Sequence, residues 1–258
     1  MILRYINNKA KQNPKRVVFT EAENIKILKA AQIAMDEGIA TPILLGNKAK
    51  IHALIAEHNL HLEDVEIIDP KSDSAEKKRS EYGEAFFEKR QRRGVNLYEA
   101  RKIMRERAYY GCMMVNSGAA DAMISGLTRK YPDTIRPALE IIGMREGAKR
   151  VAGMYIMLSK KGPLFFADTT LNFNPTVEEL VDITLLTADA VGHYNIKPRI
   201  AMLSYSNFGS TPSHESNLVR DAVVRIKEMR PDLIIDGEVQ AGVAFNKDLL
   251  QENYPFSD

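Results

Sequence analysis

The 258 residues of this sequence include one cysteine and no tryptophan. A single cysteine, Cys112, excludes an intrachain disulfide and a CxxC metal site. It lies in the apolar run G-C-M-M-V, and we interpret it as a small buried hydrophobic residue. Stability must therefore come from an apolar core, which a chain of this length can bury.

Long apolar runs and a strong charge bias are also missing. No stretch of about 18 apolar residues predicts a membrane span, and the first residues, M-I-L-R-Y-I-N-N-K-A-K, are too charged for a secretory signal. The 36 Lys and Arg nearly balance the 34 Asp and Glu, which disfavours a protein that wraps nucleic acid. We expect a cytoplasmic protein with neither a membrane nor a nucleic acid as partner.

Three frequent functional motifs do not occur. The sequence has no G-x-G-x-x-G after a predicted strand and no G-x-x-x-x-G-K-[ST], so neither a dinucleotide site nor a Walker loop is predicted. A serine nucleophile elbow, G-x-S-x-G, is also missing. These absences exclude the commonest signatures of dehydrogenases, ATPases and serine hydrolases.

What the sequence does contain is an alternation of strand-like and helix-like segments. The predicted strands R-V-V-F-T, T-P-I-L-L-G and V-E-I-I are separated by helical patterns, and one helix predicted over 96–116 leads into A-D-A-M-I-S-G. Another helix is predicted over 134–142. This alternation favours an α/β fold with a mostly parallel sheet and helices on both faces.

A glycine-rich, charged segment, G-M-R-E-G-A-K-R at 143–150, indicates a crossing between two lobes. We place the boundary near Glu146, which predicts domains 1–146 and 147–258. The second lobe opens with V-A-G-M-Y-I-M-L and P-L-F-F-A-D, either a hairpin or a pair joined by a tight loop. Thr176 and Glu179 then match a capping box that begins a helix ending near Val191.

Two loops combine the features of anion-binding sites. Residues 200–210, I-A-M-L-S-Y-S-N-F-G-S, are a predicted strand ending in hydroxyl, amide and glycine groups, at the sheet edge where open α/β sheets bind ligands. The segment S-G-L-T-R-K-Y-P-D-T-I-R, from Ser125, places two arginines near a predicted helix N-terminus. Alternatively, the first loop only caps a helix, and Arg136 forms a surface ion pair with Asp133. We favour a large polyanionic ligand.

Three acids, Asp168, Asp236 and Glu238, end predicted strands. Asp236 and Glu238 share a strand face, as a pair of metal ligands would. No histidine or third acid accompanies them, so we predict that these acids support neighbouring groups and that the chain holds no metal.

A resemblance to the phosphate acetyltransferase family is carried by G-L-T-R-K-Y-P-D-T-I-R-P-A-L-E-I-I-G, L-F-F-A-D-T-T-L-N-F-N-P-T-V-E-E-L, A-M-L-S-Y-S-N-F-G-S and I-I-D-G-E-V-Q-A. It implies two α/β lobes like those of isocitrate and isopropylmalate dehydrogenases, a ligand cleft between them, and a homodimer or higher homo-oligomer. The T-R-K-Y-P and N-F-G-S segments resemble the C-terminal domain of NADP-dependent malic enzymes.

The resemblance also implies binding residues. The family's D-T-x-R-P arginine falls on Arg136, and a second family arginine falls on Arg90. The expected phosphate or coenzyme A ligands are Arg90, Ser125, Thr128, Arg129, Asp133, Thr134, Arg136, Ser204, Ser206, Asn207, Gly209 and Ser210. We assign no catalytic residue.

Departures from the family pattern shape the functional hypothesis. Phe208 replaces the lysine of S-T-K-G-S, Gly242 replaces an acid, and the family's later S-R pair and aspartate, which carry its chemistry, have no counterparts here. We therefore expect a fragment with an incomplete first lobe that is inactive alone.

The main hypothesis is a domain of an NADP-dependent malic enzyme that binds acetyl-CoA or a related acyl-CoA as a regulatory ligand. The alternative is a truncated phosphate acetyltransferase, which moves acetyl between coenzyme A and phosphate. This fragment needs no cofactor in either case, and NADP and a divalent metal are expected only in the parent's malic domain.

Overall fold

The computed structural model describes residues 2–160 and 162–257, and the chain divides into two compact units. The first contains Leu3–Gly143 and the second begins at Met144, close to the boundary predicted near Glu146. No helix in the described part of the chain is both long and apolar enough to cross a membrane.

The first unit is built around a four-stranded sheet. Its strands are β1 (Lys15–Phe19), β2 (Ala40–Leu45), β3 (Glu66–Ile68) and β4 (Ala122–Ile124), all parallel in the order β3-β2-β1-β4. Its helices are α1 (Ile2–Gln12), α2 (Ile25–Asp36), α3 (Lys48–Glu57), α4 (Glu76–Arg90), α5 (Leu97–Ile103), α6 (Arg107–Asn116) and α7 (Tyr131–Ile141). The α/β class and the parallel sheet are confirmed.

Two apolar cores cover the two faces of this sheet, because alternate strand residues point to opposite sides. Val18 and Ile43 join one core with Phe86 and Met113, while Leu44 and its neighbours join the other. Cys112 lies fully buried in the first core, and burial raises the pKa of its thiol to about 12. Its interpretation as a buried hydrophobic residue fits this position.

The single helix predicted over 96–116 is wrong. The structure has two helices, α5 and α6, separated by residues 104–106. Asn96 caps α5 with a reciprocal bond to Glu99, and the amides of Arg105 and Glu106 close a tight turn on Lys102 and Ile103. The buried Met104 anchors that turn in the core, so tertiary packing overrides the local helical pattern.

The second unit contains two two-stranded sheets. β5 (Met154–Ser159) and β6 (Gly162–Ala167) form an antiparallel hairpin, one of the two predicted arrangements, whereas β7 (Arg199–Leu203) and β8 (Ile234–Val239) are parallel. The helices are α8 (Val177–Gly192), α9 (His214–Met229), α10 (Ala241–Ala244) and α11 (Lys247–Asn253). The capping box of Thr176 and Glu179 at the start of α8 is confirmed.

Candidate functional site

The carboxyl ends of β1 and β4 bring two polar segments together in the first unit. β1 pairs with β2 on one side and β4 on the other, so the order of the strands reverses here, the usual place for a ligand in an open α/β sheet. Thr20 follows β1, and its hydroxyl donates to the Ser125 hydroxyl at 2.8 Å. The predicted loop beginning at Ser125 therefore lies at the expected edge of the sheet.

A glutamate that the sequence analysis did not single out fills this loop. Oε2 of Glu21 accepts hydrogen bonds from the amides of Gly126 (2.7 Å) and Leu127 (2.8 Å). Its Oε1 accepts from the amide of Thr128 at 2.8 Å and from the Thr128 hydroxyl. The amides that resembled an anion site thus hold the protein's own carboxylate.

The environment keeps the Glu21 carboxylate ionised although Glu21 is only 5% exposed. Burial alone would raise the pKa of this carboxyl, but the hydrogen bonds from the Thr128 hydroxyl and from the three amides outweigh it, and the net effect lowers the pKa. A charge satisfied in this way is a stable internal anchor for the loop.

Two arginines follow the filled loop. Arg129 lies 3.4 Å from the Glu106 carboxylate, and Arg136 is exposed on α7. The alternative pair between Arg136 and Asp133 does not form, and no carboxylate of the described chain lies within ion-pair distance of Arg136. Thr134 donates weakly to the Lys130 carbonyl at 3.4 Å. Arg136 therefore has a guanidinium that is available to a ligand.

Arg90, at the end of α4, is held by a different group. Its guanidinium lies 3.6 Å from Oε1 of Glu140, whose Oε2 accepts a 2.7 Å hydrogen bond from the Tyr109 hydroxyl. Burial, reinforced by Glu140, raises the pKa of Tyr109, so this hydroxyl remains a donor. The Arg90 side chain is 19% exposed, and its buried Nε has no hydrogen-bond partner among the described residues.

A second glutamate fills the serine loop of the second unit. Oε1 of Glu238 accepts from the Ser206 hydroxyl at 3.0 Å and from the Gly209 amide at 2.6 Å. Ser206 is 0% exposed and Glu238 2% exposed, and the Thr211 amide donates back to the Ser206 hydroxyl at 3.1 Å. Ser206 and the Gly209 amide thus serve the loop itself.

The outer part of this loop is more open. Ser210 and Gly209 are exposed, although the Ser210 hydroxyl accepts from the Asn207 amide at 3.0 Å. The Asn207 side-chain oxygen accepts from the Gln240 amide at 2.8 Å, and the Ser204 hydroxyl accepts from the Ser206 amide at 3.4 Å. Ser210 is the hydroxyl of this loop that best combines exposure with freedom to donate.

Phe208 adopts a left-handed conformation with φ +49°. Its ring centroid lies 4.9 Å from that of Tyr254 and 5.1 Å from that of Phe256. This end of the loop therefore presents an aromatic cluster.

The other two strand-end acids also have partners within the protein. Asp168 accepts from Asn172 at 3.1 Å, and Asp236 accepts from Lys227 and from the Gly237 amide, both at 3.0 Å. Within residues 2–160 and 162–257, no three histidine, cysteine or acidic side chains come together as metal ligands would.

Sequence analysis missed Glu21, Tyr109 and Glu140. A signal for Glu21 was available, because T-E-A-E-N follows the buried strand R-V-V-F as a polar strand end. No local pattern distinguishes Glu140 from the other charged residues of its helix. Its role depends on contacts with α4 and α6, which are distant in sequence.

Comparison with known sequences gives a consistent assignment. The profile of the phosphate acetyl/butaryl transferase family matches residues 1–258. The chain is 37% identical over 264 residues to the phosphate acetyltransferase of Thermoanaerobacterium thermosaccharolyticum, covering 99% of this chain and 79% of that protein. It is 35% identical over 261 residues to the NADP-dependent malic enzyme of Escherichia coli, covering 100% of this chain and only 34% of that protein.

Solved structures agree. A phosphotransacetylase from Streptococcus pyogenes superposes with a TM-score of 0.88 at 32% identity, covering 99% of this chain and 77% of that one. EutD phosphotransacetylase from Staphylococcus aureus gives 0.84 at 28% identity, covering 98% and 77%. With matches along its whole length in both sequence and structure, the chain belongs to the phosphate acetyl/butaryl transferase family.

Proposed function

We propose that this chain is the acyltransferase part of a protein that moves an acetyl or similar short acyl group between coenzyme A and inorganic phosphate. The observation that carries the proposal is the match to three phosphate acetyltransferases, at 35% to 37% identity over 74% to 79% of their length. Two longer phosphate acetyltransferases match over 35% and 48% of theirs. The malic enzymes match at similar identity but over only about a third of their length. This balance favours the transferase over the malic-enzyme hypothesis.

The geometry of the first unit supports a phosphate-bearing ligand there. Arg136 offers an exposed guanidinium without a carboxylate partner among the described residues, on the helix that follows Arg129 in the chain. Guanidinium groups bind phosphate through two parallel hydrogen bonds, which fixes the orientation of the anion as well as its position. Arg90, oriented by Glu140, is a further candidate ligand.

The chemistry needs a phosphate oxygen to attack the thioester carbonyl carbon, after which the carbon–sulfur bond breaks and the coenzyme A thiolate leaves. Arginines that hold the phosphate in place lower the entropic cost of bringing the two reactants together. They also stabilise negative charge on the reacting oxygens. We propose these positioning and charge-stabilising roles for Arg136 and Arg129.

The direct test is an assay of the purified whole protein with acetyl phosphate and coenzyme A, following thioester formation. We expect the rate of acetyl-CoA formation to be proportional to the enzyme concentration. Arg136→Ala should raise the KM for acetyl phosphate. Arg220→Ala, which removes an exposed arginine paired with Asp221 on α9, is the matched control. No acetyl-CoA formation by the whole protein would contradict the proposal.

A second candidate function is regulation of an attached malic enzyme by acetyl-CoA. Phe208 favours it, because an aromatic ring in place of a lysine removes a charge useful for transfer while leaving a binding surface. The two candidates separate in one experiment on the whole protein. NADP-dependent malate oxidation that acetyl-CoA inhibits, without acetyl phosphate formation, would favour regulation.

A further inference from the structure

The Glu21 carboxylate occupies the position that a bound anion would take in the turn after β4. Both of its oxygens accept two hydrogen bonds, from the amides of residues 126–128 and from the Thr128 hydroxyl. Gly126 adopts a φ of +112°, a backbone conformation that residues other than glycine rarely adopt. The carboxylate and this glycine together define the conformation of the turn.

The same turn leads directly into the candidate ligand residues. Arg129 follows Thr128 in the chain, and α7, which carries Arg136, begins two residues later at Tyr131. Thr134 in the first part of α7 lies against Gly126, where an added Cβ would come within 3.7 Å of its side chain. A change in the turn would therefore move both arginines.

We infer that Glu21 is a positioning residue: its buried carboxylate holds the turn so that Arg129 and Arg136, and not the turn's own amides, bind the phosphate-bearing substrate. This inference rests on the proposed function, because it assigns the substrate's phosphate to these arginines. Glu21 does not itself bind the substrate, because both of its carboxylate oxygens accept hydrogen bonds within the protein.

Glu21→Gln tests the interaction with almost no change in volume. Each carboxylate oxygen faces two donors, so the amide NH2 of glutamine must point at donors whichever way it is turned. Glu21→Ala leaves an anion-sized space lined by free amides, which formate can enter as an added carboxylate. Glu23→Gln is the matched control, because Glu23 accepts from the Asn47 amide at 2.9 Å and makes no bond to the turn.

Amide hydrogen exchange provides a readout that does not depend on activity. In Glu21→Gln we expect amide exchange at residues 126–128 to accelerate by about tenfold or more. A tenfold change corresponds to a loss of about 1.4 kcal/mol in the free energy that protects these amides. In Glu23→Gln we expect no such change. Unchanged exchange at these amides in both Glu21→Gln and Glu21→Ala would overturn the inference.

Kinetics separate positioning from general stability. We expect both Glu21 variants to raise the KM for acetyl phosphate by about tenfold or more, with a smaller change in kcat. Formate should restore this KM in Glu21→Ala but not in Glu21→Gln, whose side chain still fills the space. Loss of kcat with unchanged KM would contradict the positioning role. If the wild-type protein forms no acetyl-CoA, the proposed function fails, and calorimetric binding of inorganic phosphate with the exchange data still decides the role of Glu21.

Discussion

The hydroxyl of Ser206 donates a 3.0 Å hydrogen bond to Oε1 of Glu238, and both side chains are buried. This pairing in the second unit parallels the one between Glu21 and the turn after β4 in the first. Each loop that looks in sequence like an anion site holds an internal glutamate. The residues available to bind substrate are therefore the ones that point away from these carboxylates.

Ser206→Ala should lower stability more than it weakens ligand binding. The substitution leaves a buried carboxylate with one donor fewer, which costs about 1–3 kcal/mol. Ser210→Ala, at the exposed end of the same loop, should have little effect on stability. Urea unfolding of the two variants compares them directly, and equal stability would contradict the structural role of Ser206.

Arg136→Ala should weaken binding of inorganic phosphate by roughly 1.5–3 kcal/mol, the usual contribution of a charge-assisted hydrogen bond. Its free energy of unfolding should hardly change, because Arg136 is exposed and forms no ion pair within the described chain. Isothermal calorimetry measures the affinity, with Arg220→Ala as control. Wild-type affinity in Arg136→Ala would remove this residue from the binding site.

Gly111→Ala should destabilise the first unit. An added Cβ would lie 2.8 Å from Met123 Sδ and 3.2 Å from the Thr20 methyl, so the core must shift, at a cost of about 1–3 kcal/mol. Gly192→Ala, at the end of α8, meets nothing within 4 Å and should leave stability unchanged or slightly higher. Thermal unfolding of the pair tests the packing of α6 on the sheet. An equal midpoint for both variants would contradict it.

The pair of Asp121 and Arg16 predicts a pH dependence of stability. Hydrogen bonds from the Arg16 side chain and amide lower the pKa of Asp121 to about 2. Because the folded pKa lies below the unfolded value of about 3.9, this carboxylate stabilises the fold above that value and loses its effect as the pH falls towards 2. Asp121→Asn should therefore lower the unfolding midpoint at pH 7, and the difference from wild type should shrink between about pH 4 and pH 2. If the difference in unfolding midpoint between Asp121→Asn and wild type stayed constant over this pH range, the charge of Asp121 would not be the cause of the stabilisation.

Sequence predicted the features that depend on neighbouring residues. The strand R-V-V-F-T and the helix that Thr176 caps follow from local periodicity and capping chemistry, which act within one or two turns of chain. The break between α5 and α6 could not be read in this way, because Met104 is held by a core assembled from the whole first unit.

The acceptors in the two loops were hidden for a similar reason. The hydroxyl, amide and glycine groups of the loops were visible in sequence and predicted a site for an external anion, whereas in the structure these groups bind carboxylates of the protein itself. The anion itself is Glu21, 105 residues away from Gly126, in one loop and Glu238, 29 residues away from Gly209, in the other. Pairing over such separations depends on which strands become neighbours in the sheet.

Formation of acetyl-CoA from acetyl phosphate and coenzyme A by the purified whole protein tests the central proposal most directly. We predict that the thioester absorbance rises at a rate proportional to the protein concentration. Arg136→Ala should raise the KM for acetyl phosphate, whereas Arg220→Ala should behave as wild type. No thioester formation by the whole protein, combined with NADP-dependent malate oxidation that acetyl-CoA inhibits, would contradict the transferase proposal and support a regulatory domain.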